Sequence, residues 1–221
     1  MKGTPVIIDP MTTAGLVSRE IRTGERDGMP IKIAVARRSY STDRADLWDC
    51  LTNPERLPRW FLPVSGDLNK GGKYQVEGNA GGVIERCAPP ESFAVTWEYG
   101  EMVSWLTVTL TPDVDGTTLE LVHEAPVDPE MWKQFGPGAV GLGWDLALMG
   151  LGLHVATRAP VSAEDALRFP LTPEGRQFLQ RAASGWADAA VADGDDRELA
   201  DQGATASFAF YTTEPDDQQE G

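Results

Sequence analysis

Histidine and cysteine are scarce in this chain, with two of each among 221 residues. A metal centre needs several His, Cys or carboxylate side chains to converge, so a composition this poor in them argues against a metal, and no cofactor is expected. The two cysteines, Cys50 and Cys87, fall in segments that read as core or sheet edge, and free thiols are the expectation. Basic residues are also few: 19 Lys and Arg stand against 34 Asp and Glu, a formal charge of -15. Residues 160–221 alone hold 13 acids and 4 arginines. A surface this acidic repels phosphate backbones, which excludes nucleic acid as a partner. A long hydrophobic run is missing too. The longest, Ala139 to Val155, falls short of the ~20 residues that span a bilayer, and it carries Asp145, His154 and several glycines. The first 15 residues have one lysine and no apolar run, unlike a secretory leader. No membrane contact and a cytoplasmic location are therefore expected. Phosphate-binding and nucleophile motifs are absent as well. Gly78-Asn79-Ala80-Gly81-Gly82 lies between strand-like runs and fits a turn, and no Gly-x-Ser-x-Gly elbow occurs.

What the chain does have is a change of period. Residues 15–39 read as a hairpin, with alternating runs 15–23 and 31–39 flanking the turn-forming stretch 24–30. Ser41-Thr42-Asp43 is an N-cap cluster that opens a helix carrying Leu47, Trp48 and Leu51 at helical spacing. Asn53-Pro54-Glu55 starts a second short helix ending near Trp60 and Phe61. After Pro63 come five strand-like runs separated by Gly, Pro-Pro and Asp-Val-Asp-Gly-Thr breaks, the pattern of an antiparallel meander. Alternation places Phe93, Val95, Trp97 and Tyr99 on one inward face, with Leu119, Leu121 and His123 likewise inward. Glu98, Glu120 and Glu124 fall on the wet face. Of Glu85 and Arg86, one should point inward.

Helical period returns at Asp128. A short helix over 129–135 precedes a long one over 139–157, which is apolar on all sides. Such a helix must be buried on all sides, so something beyond the sheet has to cover it. Helix starts at Ser162 and Thr172-Pro173 and a stripe of Phe178, Ala182, Trp186 and Ala190 offer that cover. A last helix is expected over 196–211. The alternative is that the outer side of the long helix is a homodimer interface.

The segments ADLWDCLTNPERLPRWF, GGKYQVEGNAGGVIERCAPPESFAVTWEYG, GTTLELVHEA and GLGWDLALMGLGL, taken in order, resemble SRPBCC (START-like) domains of the heat-shock-protein-90 ATPase activator-homologue type. The resemblance covers about residues 30–156. It implies an α+β helix-grip fold, a curved antiparallel sheet around a long C-terminal helix, here with extra C-terminal helices. The expected organisation is an N-terminal segment 1–14, a helix-grip domain 15–158, a helical extension 159–213 and an acidic tail 214–221.

The candidate site is an apolar cavity between sheet and long helix. Its expected wall comprises Trp60, Phe61, Tyr74, Phe93, Val95, Trp97, Tyr99, Leu121, Trp144 and Leu148, with His123 as the polar group that orients a ligand. No catalytic residue and no metal ligand is assigned. Non-catalytic binding of a small, mostly apolar molecule is the first reading. A protein-interaction module of co-chaperone kind and a cyclase-like enzyme acting on an aromatic or polyketide-like substrate are the alternatives. A cavity enclosing His123 would favour the first, an exposed apolar patch the second, and facing titratable groups the third.

Overall fold

The computed structural model describes residues 9–214. Eight antiparallel strands form one sheet in the order β1-β2-β8-β7-β6-β5-β4-β3. In chain order they are β1 (Ser18–Arg26), β2 (Met29–Tyr40), β3 (Val64–Gly66), β4 (Lys73–Val76), β5 (Gly81–Ala88), β6 (Ser92–Tyr99), β7 (Met102–Asp113) and β8 (Gly116–Pro126). The helices are α1 (Pro10–Gly15), α2 (Arg44–Thr52), α3 (Pro129–Phe135), α4 (Gly138–Thr157), α5 (Ala163–Arg168), α6 (Pro173–Asp193) and α7 (Arg197–Thr212).

Local chemistry accounts for most boundaries. Asp27 and Gly28 both take positive φ, 52° and 81°, giving β1 and β2 the two-residue turn that matches strand twist. The turn is thus tighter than the seven residues expected, and β1 runs to Arg26. Asp43 caps α2 by accepting from the Asp46 N–H, Thr172 caps α6 by accepting from Gly175, and Asp196 caps α7.

Within the N-terminal segment, Asp9 caps a short helix whose first residue is Pro10, a start signal present in the sequence; residues 1–8 lie outside the described residues. Three expectations need correction. The second short helix reduces to a turn and three residues of 3-10 geometry, Leu57–Arg59, because two prolines interrupt it. A short strand, β3, adds a sixth member to the meander. Finally, a bulge between Ile84 and Arg86 breaks alternation in β5, so Glu85 and Arg86 are both exposed and neither faces inward. Of the expected acidic tail, only Glu214 is described.

α4 is 20 residues long and passes the length and apolarity test for a bilayer span, which the sequence reading denied it. Half of its apolar window is nevertheless inside the fold. One side lies on the concave face of the sheet. The other receives α6. There the Trp186 indole packs on Gly141, where a methyl group would collide with the ring. Phe178, Leu179, Ala182 and Trp186 of α6 are fully enclosed. The side considered for a dimer contact is therefore occupied by the chain's own helix.

A buried ion pair pins this arrangement. Asp145 of α4 accepts from Arg19 Nε at 3.1 Å and Nη2 at 2.5 Å, and from Trp186 Nε1 at 2.8 Å. One carboxylate thereby joins β1, α4 and α6. Burial pushes its pKa up, and the Arg19 guanidinium opposes that shift. Arg38 of β2 also points inward, with Nη1 donating to the Leu148 carbonyl at 2.8 Å; the Tyr40 hydroxyl shares that acceptor at 3.0 Å.

Candidate functional site

Strand register builds the inner face. Phe93 lies opposite Val108, and Val95 opposite Leu106, across β6 and β7. Leu106 and Val108 in turn face His123 and Leu121 of β8. Because partners directly opposite share a face, these residues form a continuous apolar surface under α4. α4 contributes Trp144, Ala147, Leu148 and Leu151. Between the two layers lies a cavity of about 170 Å³, with Trp60 and Phe61 among its lining.

Nine of the expected wall residues line this cavity: Trp60, Phe61, Tyr74, Phe93, Val95, Trp97, Leu121, Trp144 and Leu148. Tyr99 does not. It is the last residue of β6, next to the Gly100 turn, and its side chain is 57% exposed. Parity predicted an inward direction, but the layer above the sheet ends before the strand does. Tyr99 instead lines an outer groove of about 880 Å³. Phe61, Trp97, Trp144 and Ala147 border both spaces. The Trp97 and Trp144 rings lie 5.2 Å apart at 59°.

Sequence reasoning missed several wall residues. Leu106 and Val108 were legible, since Ser104, Leu106, Val108 and Leu110 alternate inward along β7. Leu68 lies in a loop, Leu57 opens the 3-10 turn and Leu51 sits in the last turn of α2, so no strand period marks them as cavity wall.

His123 points inward and is only 6% exposed, as parity requires, but it does not line the cavity as expected; it borders the outer groove instead. Its role as a ligand-orienting group is not what the geometry favours. Trp144 Nε1 donates to His123 Nδ1 at 3.0 Å, and His123 Nε2 meets Ser104 Oγ at 2.8 Å. An indole N–H can only donate, so Nδ1 is the bare nitrogen and Nε2 carries the proton. Ser104 Oγ then donates to the Trp97 carbonyl at 2.9 Å. This relay ends on backbone and leaves no ring nitrogen over. Burial pushes the His123 pKa down to about 4, so the ring is neutral near pH 7.

The other polar wall groups are also turned aside. The Tyr74 hydroxyl donates to the Thr96 carbonyl at 2.7 Å, and burial raises its pKa. Thr52 Oγ1 donates to the Trp48 carbonyl at 2.8 Å. Cys87, at the wall, is a free thiol. No lining residue of the cavity is a carboxylate, lysine or arginine. Among the described residues, no group of three or more His, Cys, Asp or Glu side chains is placed to hold a metal.

Comparison with known proteins agrees with this architecture. The family described as activator of Hsp90 ATPase homolog 1-like protein matches residues 41–155, more than half the chain. The crystal structure of CalU16 from Micromonospora echinospora superposes with a TM-score of 0.61 at 28% identity, covering 78% of this chain and 97% of CalU16. The solution structure of the same protein gives 0.67 at 28% identity, covering 80% and 97%. DynU16, a protein of the dynemicin biosynthetic locus, shares the fold with a TM-score of 0.53 at 19% identity, covering 58% of this chain and 48% of its own. No curated protein matches.

Proposed function

Because this chain belongs to the activator of Hsp90 ATPase homolog 1-like family, and its matched residues supply both walls of the cavity, we propose that it binds a small, mostly apolar molecule there without covalent chemistry. The observation that carries this reading is the wall itself: aromatic and aliphatic, free of ionised groups, with each nearby polar side chain bonded to the protein's own backbone or to another side chain. A cavity near 150 Å³ lined by apolar groups stays dry and accepts a benzene-sized guest. At about 170 Å³ this one suits a single ring, with any remainder of the molecule in the groove. A cyclase-like reaction would call for titratable groups facing each other across the cavity, and the wall offers none for that purpose. Two free thiols, Cys50 and Cys87, support placing the protein in the cytoplasm.

Titration with planar apolar compounds, read by tryptophan fluorescence, tests the proposal. Saturable quenching with a dissociation constant well below millimolar is expected. A broad panel in which nothing binds more tightly than about millimolar, only about -4 kcal/mol, overturns it.

One observation favours the co-chaperone-like reading as a second. Tyr99, Met102, Val103, Val140 and Phe210 are exposed apolar side chains gathered on the same groove. An apolar patch of this kind suits docking of a protein segment. Native mass spectrometry of the purified chain separates the two readings, since a co-purifying small molecule favours the cavity.

A further inference from the structure

The cavity and the groove abut along four side chains that line both, Phe61, Trp97, Trp144 and Ala147. At this boundary the Trp144 ring lies against the Trp97 ring at 5.2 Å, which leaves no room for a ligand between them. Apolar lining nevertheless continues on the groove side, where Met102, Val103 and Val140 are exposed. The Trp144 indole therefore stands between two apolar surfaces. Its N–H, donated to His123 Nδ1 at 3.0 Å, ties it to the sheet. The rest of that relay runs from His123 to Ser104 and on to the Trp97 carbonyl without passing through Trp144, so it survives if the indole leaves. Trp144 is also only half-buried and borders the groove, so its ring has space to move into.

Resting on the cavity reading, we propose that Trp144 is a movable partition and that the natural ligand is a planar molecule of two or more fused rings that displaces it. With the partition closed, the cavity of about 170 Å³ takes a single ring. Swinging the indole toward the groove gives up one hydrogen bond and the contact with Trp97, and it joins the cavity to the apolar surface beyond. A fused-ring ligand buries more apolar area in the joined space than a single ring can. It thus has a higher affinity for the open arrangement and shifts the balance toward it, whereas a single ring has nothing to gain there. His123 is then a positioning residue: it holds the partition shut and touches no ligand.

Toluene and naphthalene, alike in chemistry but differing by one ring, test this when titrated into the isotope-labelled chain and followed by NMR. Toluene should shift the methyls of Leu148 and Leu151, which line the cavity, and leave those of Val103 and Val140 in the groove unmoved. It should also leave solvent exchange of the Trp144 indole N–H unchanged. Naphthalene should shift both sets of methyls and speed that exchange by about fivefold or more, the equivalent of losing one net hydrogen bond. Trp144→Phe keeps an aromatic ring without the N–H, and it should bind naphthalene about fivefold more tightly while toluene stays within about twofold. If naphthalene shifts one set of methyls alone, leaves the exchange unchanged, or fails to bind where toluene binds, the partition is wrong while the cavity reading stands. No gain for naphthalene in a folded Trp144→Phe also overturns it; if that variant does not fold, the exchange in the unmodified chain decides. If neither compound binds, both readings are wrong.

Discussion

The indole Nε1 of Trp144 and the imidazole Nδ1 of His123 lie 3.0 Å apart, and this one bond ties the long helix to β8 beside the residues that cavity and groove share. It also decides the character of His123. A histidine whose two nitrogens are both occupied by protein groups, in a ring held neutral by burial, is a structural post rather than an acid or base.

His123→Phe should therefore act on stability first. It strands the Trp144 N–H and leaves the Ser104 hydroxyl without its donor, and each buried group left unpaired costs about 1–3 kcal/mol. Urea denaturation of the variant checks the size of the loss. Affinity for an apolar probe should fall by less than about tenfold, because no bond to the ligand is removed.

Stability should fall as pH drops from neutral toward 5. His123 titrates near 6.5 when unfolded, but burial holds it at about 4 in the fold. Between those values the unfolded chain binds the extra proton, so acidification favours unfolding, and the effect levels off below about 4. From pH 7 to 5 the loss from this one residue is about 2 kcal/mol. In His123→Gln that slope should flatten. Glu20, held down to about 2 by hydrogen bonds from Arg22 and Arg37, contributes only at lower pH, losing its stabilisation as pH falls below its ordinary range.

Gly141→Ala should destabilise the fold even though alanine is the better helix former by about 1 kcal/mol. The added methyl runs into the Trp186 ring, which has little room to retreat at 1% exposure. Overpacking of this kind costs about 1–3 kcal/mol. Combining it with Trp186→Leu should recover part of the loss, measured as a non-additive double variant.

Breaking the buried pair by Arg19→Met leaves Asp145 enclosed without its guanidinium, a loss of about 3–5 kcal/mol. Arg19→Met with Asp145→Leu should cost less than the sum of the single changes. Thermal melts of the four forms close the cycle.

Truncation after Arg158 should cause aggregation or a large drop in melting temperature. It removes α6 and α7 and bares Leu142 and Met149 of α4. Each such side chain loses burial worth about 25 cal/mol per Å² of apolar area. A truncated chain that stays monomeric and equally stable would show that the extension is no cover.

The wall of the cavity was largely legible in the sequence because strand alternation is a strict period of two, and Phe93, Val95, Trp97 and Leu121 obey it. It failed at Tyr99, where the strand outruns the helix layer, and at Glu85, where a bulge shifts the period. Arg38 and Asp145 escaped for another reason. A lone charge in an apolar pattern carries no sign of its partner, and Arg19 lies 126 residues from Asp145. β2 added to the difficulty, since Ile31 and Val35 on one parity and Ala36 and Tyr40 on the other are all buried. With both faces apolar, alternation cannot say which way Arg38 points. The relay that occupies His123 joins four elements, α4, β8, β7 and β6, so it becomes visible only when they are assembled.

The most direct test of the account is methyl NMR of the protein titrated with an apolar single-ring compound. The account predicts saturable shifts at Leu121, Leu148 and Leu151, which line the cavity, with the methyls of Leu167 and Val114, exposed far from it, unmoved. Shifts confined to exposed methyls, or none at all at near-millimolar compound, would contradict it.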